Sequence, residues 1–224
     1  MKILIITGGS IDDDFAIHFI DKGKFAVTIV VDGALNVIDR LINQKKFPIQ
    51  IHHLVGDFDS ADPEILKKYI GNPEITVHPF KPEKDNTDTE LAVRLAMDLC
   101  TDKESEIYLL GATGTRLDHL IANLQLMIKP FEAGIPCCII DKNNRVRLIS
   151  HTYKIFKSSQ WGEYISLLPF DSVLRGINLT GFKYPLKDKT VYLGDSLCIS
   201  NELLAEEGLI TISDGIAILI ESRD

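Results

Sequence analysis

Cysteine is scarce. The four residues Cys100, Cys137, Cys138 and Cys198 form no CxxC pair, so neither a disulfide framework nor a CxxC metal site is indicated. Cys137 and Cys138 point to opposite faces if their segment is a strand, and free buried thiols of a cytoplasmic protein are the expected state. Basic residues are outnumbered, 24 Lys+Arg against 32 Asp+Glu, for a net charge of −8. That balance supplies no basic stripe for a nucleic-acid backbone. It does not exclude a small phosphorylated ligand, because a divalent cation can carry the positive charge instead. No apolar run approaches the ~20 residues of a membrane span. The opening MKILIITGG is too short in its apolar part for a secretory signal and reads as a buried first strand. Repeats, low-complexity tracts and long linkers are also absent.

What is present changes character along the chain. From Met1 to about residue 143, short β-rich runs (KILIIT, FAVTIVV, IQIHHLV, EITVH, EIYLLG, PCCIID) alternate with helix-period stretches. In TELAVRLAMDLC, Leu91, Leu95 and Leu99 recur every four residues and predict the buried face of a helix. The alternation predicts an α/β domain, a mostly parallel sheet flanked by helices. Ligands in such sheets bind beyond the carboxyl ends of the strands. From about residue 144 to 224 the runs RVRLIS, YISLLPF, LITIS and GIAILIES predict a small C-terminal antiparallel β-sandwich. There Ser213, Asp214 and Gly215 form the turn of an expected terminal hairpin. A core of roughly 80 residues is modest, so packing against the first domain or a second chain would help stabilise it.

Polar clusters follow the predicted strands. In Gly56-Asp57-Phe58-Asp59-Ser60, carboxylates two apart on extended backbone share a face and suit a hard cation such as Mg²⁺. Asp62 ahead of Pro63 reads as a helix cap. Lys84-Asp85-Asn86-Thr87-Asp88-Thr89-Glu90 contains a capping box from Thr87 to Glu90. Asp85 and Asp88 serve either the helix dipole or a metal–phosphate complex. Gly111-Ala112-Thr113-Gly114-Thr115-Arg116-Leu117-Asp118-His119 lacks P-loop spacing. Its glycines allow backbone approach to a phosphate and Arg116 offers a partner for the oxygens. Capping from Thr115 to Asp118, with His119 and Asn123 as a structural pair, remains the alternative. Asp32, after FAVTIVV, either accepts from a ribose hydroxyl or caps a helix. Asp12-Asp13-Asp14 reads as a solvated helix start.

Taken in order, GGS, VDGA, GDFDS, DNTDTELA, GTRLDH with Asn123, GFKYPL and ISNEL closely resemble thiamin pyrophosphokinase. GDFDS with TRLDH is the most specific part. The resemblance implies an α/β catalytic domain (1–143) and a β-sandwich that binds thiamin and dimerises (144–224). It implies transfer of pyrophosphate from ATP to thiamin, giving thiamin diphosphate and AMP, with Mg²⁺ required. It also implies a homodimer with active sites at the subunit interface. By position, Asp57, Asp59 and Asp88 correspond to catalytic metal-binding carboxylates. Asp32, Thr113, Arg116, Asp118, His119 and Asn123 correspond to nucleotide-site residues, and Tyr184, Ser200 and Asn201 to the thiamin side. Tyr184 departs from the family, which often has Trp there; cation–π attraction to a thiazolium is weaker for Tyr.

The expected chemistry is in-line attack of the thiamin hydroxyl on the β-phosphorus, with no covalent intermediate and no side chain standing out as a general base. Three rivals remain open. A pyrophosphokinase for another alcohol, such as a pterin, differs at the acceptor pocket. A haloacid-dehalogenase-like phosphatase normally carries its DxD after the first strand, not the third. A non-catalytic sensor would bind without forming AMP.

Overall fold

The computed structural model describes residues 1–80 and 85–224, which fall into two compact units, Met1–Lys142 and Asn143–Asp224. Lys84, at the head of the second cluster, lies outside the described residues. The first unit runs β1 (Lys2–Ile6), α1 (Asp13–Gly23), β2 (Val27–Val31), α2 (Ala34–Asn43), β3 (His53–Gly56) and α3 (Pro63–Ile70). It continues with β4 (Thr76–Pro79), α4 (Asp88–Leu99), β5 (Glu106–Leu110), α5 (Leu117–Leu126), α6 (Ile128–Glu132) and β6 (Cys137–Ile140). Its strands lie in the order β6-β5-β1-β2-β3-β4, every pair parallel. Ile3, Leu4, Ile5 and Ile6 of the central β1 are wholly buried. An unbroken apolar run of this kind suits a strand covered on both faces, as parallel sheets require. The chain leaves β1 toward β2 on one side and later returns to β5 on the other. The strand order therefore reverses between β1 and β5, where open α/β sheets bind ligands.

Two local expectations change. Residues 49–52 stay outside β3, which begins only at His53. At its start the His52 N–H donates to the Thr28 carbonyl (3.0 Å), and His52 Nδ1 accepts the Thr28 N–H (3.0 Å). An imidazole thus replaces a strand carbonyl in that rung. Burial holds the His52 pKa below its usual value, which keeps that nitrogen an acceptor. In α4 the buried face is Ala92, Val93 and Ala96, while Leu91, Leu95 and Leu99 are only half-buried. The small residues face inward and allow close approach of helix to sheet, whereas the leucines flank that contact.

The second unit contains β7 (Asn144–Ile149), β8 (Thr152–Phe156), β9 (Tyr164–Pro169), β10 (Val173–Thr180), β11 (Leu186–Tyr192), β12 (Asn201–Glu202), β13 (Glu207–Thr211) and β14 (Ala217–Ser222). Its helical content among the described residues is one short 3₁₀ turn, Lys157–Ser159. One layer has the order β12-β9-β14-β7 and the other β11-β10-β13-β8, all pairs antiparallel. Ile165, Leu167 and Leu219 from the first layer pack with Leu174, Ile177 and Ile210 from the second. The expected terminal hairpin is not formed, because β13 and β14 belong to different layers. The turn is tied to β10 instead: Ser213 N–H and Oγ donate to the Arg175 carbonyl (both 2.9 Å), and Arg175 pairs with Asp214 at 2.7 Å. Ser213-Asp214-Gly215 is thus an arch between sheets, a case where turn chemistry signals a reversal without naming the partner strand.

The four cysteines are all free; burial pushes the Cys198 thiol up to about 11. No described helix is long and apolar enough to cross a membrane. The second unit's buried charge is Glu221, 1% exposed, which accepts from Arg145 Nε (2.7 Å) and Nη2 (2.6 Å) and from the Trp161 N–H (3.1 Å). Removing one side of a buried ion pair leaves the other uncompensated. Glu221→Ala should therefore cost about 3–5 kcal/mol in urea unfolding; a loss below about 1 kcal/mol, the level of exposed pairs, would contradict this.

Candidate functional site

Loops after β1, β2, β3 and β5, with the first turns of α4 and α5, line a cleft of about 730 Å³, within the usual range for small-ligand sites. One wall is acidic. Val31 pairs with Val55 across β2 and β3, so Asp32 emerges beside Gly56. Asp32 adopts a left-handed backbone (φ 43°), fixed by its N–H donating to the Val55 carbonyl at 2.9 Å. Gly56 has φ 150°, and a Cβ there would stand 3.1 Å from that of Asp32, so glycine is needed on both counts. Ser60 Oγ donates to Asp32 Oδ2. Asp32 Oδ1 is buried and has no hydrogen-bond partner among the described residues.

Asp57 and Asp59 do converge, but through a turn and not through extended alternation. Phe58 between them is left-handed (φ 60°), and the Asp59 N–H donates to Asp57 Oδ1 at 3.3 Å. Asp32, Asp57 and Asp59 each present an oxygen within 4.8 Å of the others. The Asp57 charge, then that of Asp32, then burial and the charge of Asp88 raise the Asp59 pKa above the usual carboxylate value. Asp88, in the first turn of α4, lines the same cleft but lies outside this tight group. The sequence pointed to Asp57, Asp59 and Asp88 as the cation set and to Asp32 as a nucleotide residue; the geometry brings Asp32 in as the third close carboxylate. Sequence spacing could not show this, since the approach comes from the β2–β3 register. Three carboxylates this close, one of which also carries a buried oxygen without a partner among the described residues, match the donor chemistry a hard divalent cation takes.

The acidic loop is braced from behind. Asn36 on α2 donates to the Ser60 carbonyl (3.2 Å) and accepts the Asp62 N–H (2.9 Å). Asp62 caps α3, taking the N–H groups of Glu64 (2.8 Å) and Ile65 (3.3 Å). Behind them Asp39 of α2 accepts from Lys68 (3.2 Å) and Tyr69 (3.1 Å) of α3. Burial and the Asp39 charge push the Tyr69 hydroxyl up to about 12, so it remains a donor. On α4, Thr87 caps the Glu90 N–H at 3.1 Å, the expected half of the capping box. The Glu90 carboxylate instead accepts from Asn86 (2.9 Å), Arg94 (2.8 Å) and Lys129 (2.7 Å), which hold Glu90 below the ordinary range, Lys129 foremost.

A second part of the lining is built from two loops zipped together. Backbone N–H groups of Thr7, Gly9 and Ser10 donate to the carbonyls of Leu110, Gly111 and Thr113 at 2.9, 2.9 and 3.0 Å. Gly111 is left-handed (φ 76°), and a Cβ there would collide with the Thr7 carbonyl. Thr113 Oγ1 donates to Asp141 at 2.8 Å. Buried Asn123 donates to the Ala112 carbonyl at 2.8 Å, so it pins the loop and is not paired with His119 in that bond. The alternative cap from Thr115 does not form: α5 starts at Leu117, its N-cap is Arg116, and no side chain caps it. Arg116 grips Asp118 through Nη2 (2.6 Å) and Nε (3.2 Å). His119 lines the cleft, and its N–H donates to Asp118 Oδ1 at 3.0 Å. Thr7, Ser10, Ser60 and Asn86 also line the cleft; their position just after strands was the available signal for them.

Tyr184, Ser200 and Asn201 group within the second unit. Asn201 is buried; its Oδ1 accepts the Tyr184 N–H (3.0 Å) and its Nδ2 donates to the Tyr184 carbonyl (2.8 Å). Its amide therefore fixes the Tyr184 backbone. The Tyr184 ring is exposed, with Lys183 Nζ 5.6 Å from its centroid. Ser200 is left-handed (φ 54°), its N–H donating to Ser166 Oγ at 3.0 Å.

Asp118 supplies a titration test. The Arg116 guanidinium brings its carboxyl from the usual 3.8 down to about 2. A lowered carboxylate pKa means the pair is fully present above the ordinary value and is lost as pH falls through about 2. NMR titration of Asp118 should find its midpoint near the lower value and Arg116→Ala should return it to the ordinary range; an unmoved midpoint would break the assignment.

The family described as "Thiamin pyrophosphokinase, catalytic domain" matches residues 22–139, and "Thiamin pyrophosphokinase, vitamin B1 binding domain" matches residues 150–217. The thiamine pyrophosphokinase of Bacillus subtilis (strain 168) is 36% identical over 170 residues, covering 75% of this chain and 77% of its own. A crystal structure of thiamine pyrophosphokinase from Bacillus subtilis superposes with a TM-score of 0.85 at 32% identity, covering 100% of both chains. That of thiamin pyrophosphokinase from Geobacillus thermodenitrificans gives 0.82 at 33%, covering 100% of this chain and 98% of its own. With both family descriptions matched in order and relatives this similar, the chain belongs to the thiamin pyrophosphokinase family.

Proposed function

We propose that this enzyme transfers the pyrophosphoryl group of ATP to the primary hydroxyl of thiamin, giving thiamin diphosphate and AMP. The observation that carries the reading is the carboxylate trio Asp32, Asp57 and Asp59, with the buried Asp32 Oδ1 awaiting a partner. Residues 1–143 act as the catalytic part and residues 144–224 as the thiamin-binding and dimerising part. The working protein is a cytoplasmic homodimer with active sites at the subunit interface, and its partners are thiamin and ATP, not nucleic acid or membrane.

Asp32, Asp57 and Asp59 would hold Mg²⁺, with Asp88 adding negative charge at the same cleft. Bound there, Mg²⁺ supplies charge neutralisation for the polyphosphate and the transferring group. Arg116, oriented by its Asp118 pair, offers two N–H donors to phosphate oxygens. Asn123 keeps the Ala112 carbonyl in place, so the loop wall meets the nucleotide in a fixed shape. Thr113 is held in the same way through Asp141, and His119 faces the cleft. Tyr184 presents its ring to the acceptor, with Asn201 and Ser200 setting the backbone beside it. In the transfer the thiamin oxygen bonds to the β-phosphorus while the bridge to the α-phosphate breaks, and AMP departs with the bridging oxygen. Positioning and electrostatics provide most of the acceleration.

Incubation with ATP, Mg²⁺ and thiamin should yield AMP and thiamin diphosphate in equal amounts, and chelation with EDTA should abolish both. ATP breakdown that ignores thiamin, or formation of ADP with thiamin monophosphate, would overturn the reading. Asp59→Asn should lower turnover by at least about tenfold, an effect of more than about 1.4 kcal/mol on the barrier, with the melting temperature retained. Near-wild-type turnover would remove Asp59 from the cation site.

A further inference from the structure

Two buried side-chain oxygens in the cleft lack a partner among the described residues. A cation answers Asp32 Oδ1. The other is Thr7 Oγ1, on the loop wall, and nothing above accounts for it. Thr7 is 3% exposed and directly follows β1, beside the reversal of strand order. Its backbone is fixed on both sides, by its N–H donating to the Leu110 carbonyl and by its own carbonyl abutting Gly111. A β-branched side chain on so constrained a backbone has few rotamers. Its hydroxyl therefore has little freedom to seek water.

A buried hydroxyl left without a partner is destabilising, whereas an apolar group of the same shape carries no such cost. Valine would fill this position more cheaply unless a ligand uses the oxygen. The surroundings say which ligand group does. Thr7 lines the same cleft as Arg116 and as the first turn of α5, where the Asp118 carboxylate takes the His119 N–H. That carboxylate is already neutralised by Arg116. Ile6 pairs with Val30, so Thr7 stands at the end of β1 beside the end of β2 that leads into Asp32. A Mg²⁺ ion held at Asp32 would bring substrate phosphates to this part of the cleft. A buried hydroxyl donor beside such a cation site suits an oxygen of a metal-bound phosphate.

We propose that the Thr7 hydroxyl donates a hydrogen bond directly to a phosphate oxygen of the bound nucleotide, and that the ligand-free protein is less stable for carrying it. This rests on the ATP-dependent reading above, and residue 7 lies outside the segment matched by the catalytic-domain family, residues 22–139. The test compares wild type, Thr7→Val and Thr7→Ser by thermal shift and titration with Mg²⁺ plus α,β-methylene-ATP, with adenosine and with thiamin. Thr7→Val should melt at or above the wild-type temperature without ligand, yet bind the triphosphate analogue about tenfold more weakly, the loss of one bond to a charged group. Adenosine and thiamin binding should be unchanged, and Thr7→Ser should keep most of the analogue affinity. A lower melting temperature with intact analogue binding would make Thr7 structural and overturn the proposal. Equal weakening for adenosine or thiamin, or no change at all, would overturn it as well. The transferase reading is scored separately by AMP formation in wild type: a chain that binds the analogue through Thr7 but forms no AMP would lose that reading and keep the phosphate contact.

Discussion

Mutual repulsion among carboxylates is the constraint on which the cleft depends. Asp32, Asp57 and Asp59 sit close enough to raise the Asp59 pKa, and nothing in their own chemistry favours that arrangement. The scaffold imposes it. The β2–β3 register sets Asp32 beside Gly56, left-handed residues at 32 and 58 aim the side chains, and Asn36 clamps the loop from α2. Each device spends conformational energy that the surrounding packing must supply. Isoleucine- and leucine-rich strands with buried surface on both faces are the source of that energy.

The two walls of the cleft are held by different means, and this fits a ligand of mixed character. The acidic wall is braced by side chains, namely Asn36, Ser60, Asp62 and the Asp39 cluster. The other wall is braced mainly by backbone bonds between the loops after β1 and β5, with Asn123 and Thr113 as side-chain pins. Backbone bracing keeps Arg116 and His119 out of the framework of that wall, where Arg116 is held by the Asp118 carboxylate. Side-chain bracing instead keeps charged groups near one another against their preference.

Much of this was legible in the sequence, for reasons that differ by feature. Unbroken apolar runs with intervening helical periods specify a parallel sheet, because few other arrangements bury both faces. Family resemblance was carried by short polar motifs at strand ends, where chemistry restricts residue choice. Other features depended on register or on partner choice and stayed hidden. Asp32 could not be grouped with Asp57 without knowing which strands pair and at what offset. Ser213-Asp214-Gly215 announced a reversal, yet whether it closes a hairpin or crosses between layers was decided by Arg175, far away in sequence. On α4 periodicity found the helix, but the leucine spacing marks the edge of the buried face, whose centre is Ala92, Val93 and Ala96.

The Asn36 clamp has a consequence for anyone wishing to move the acidic loop into another protein. Asn36 holds Ser60 and Asp62, while Asp39 on the same helix holds Lys68 and Tyr69 of α3. The mould for the aspartates therefore lies in α2, α3 and the β2–β3 register, not in the acidic loop itself. Copying the aspartates alone into a foreign scaffold would transplant the charge without the mould.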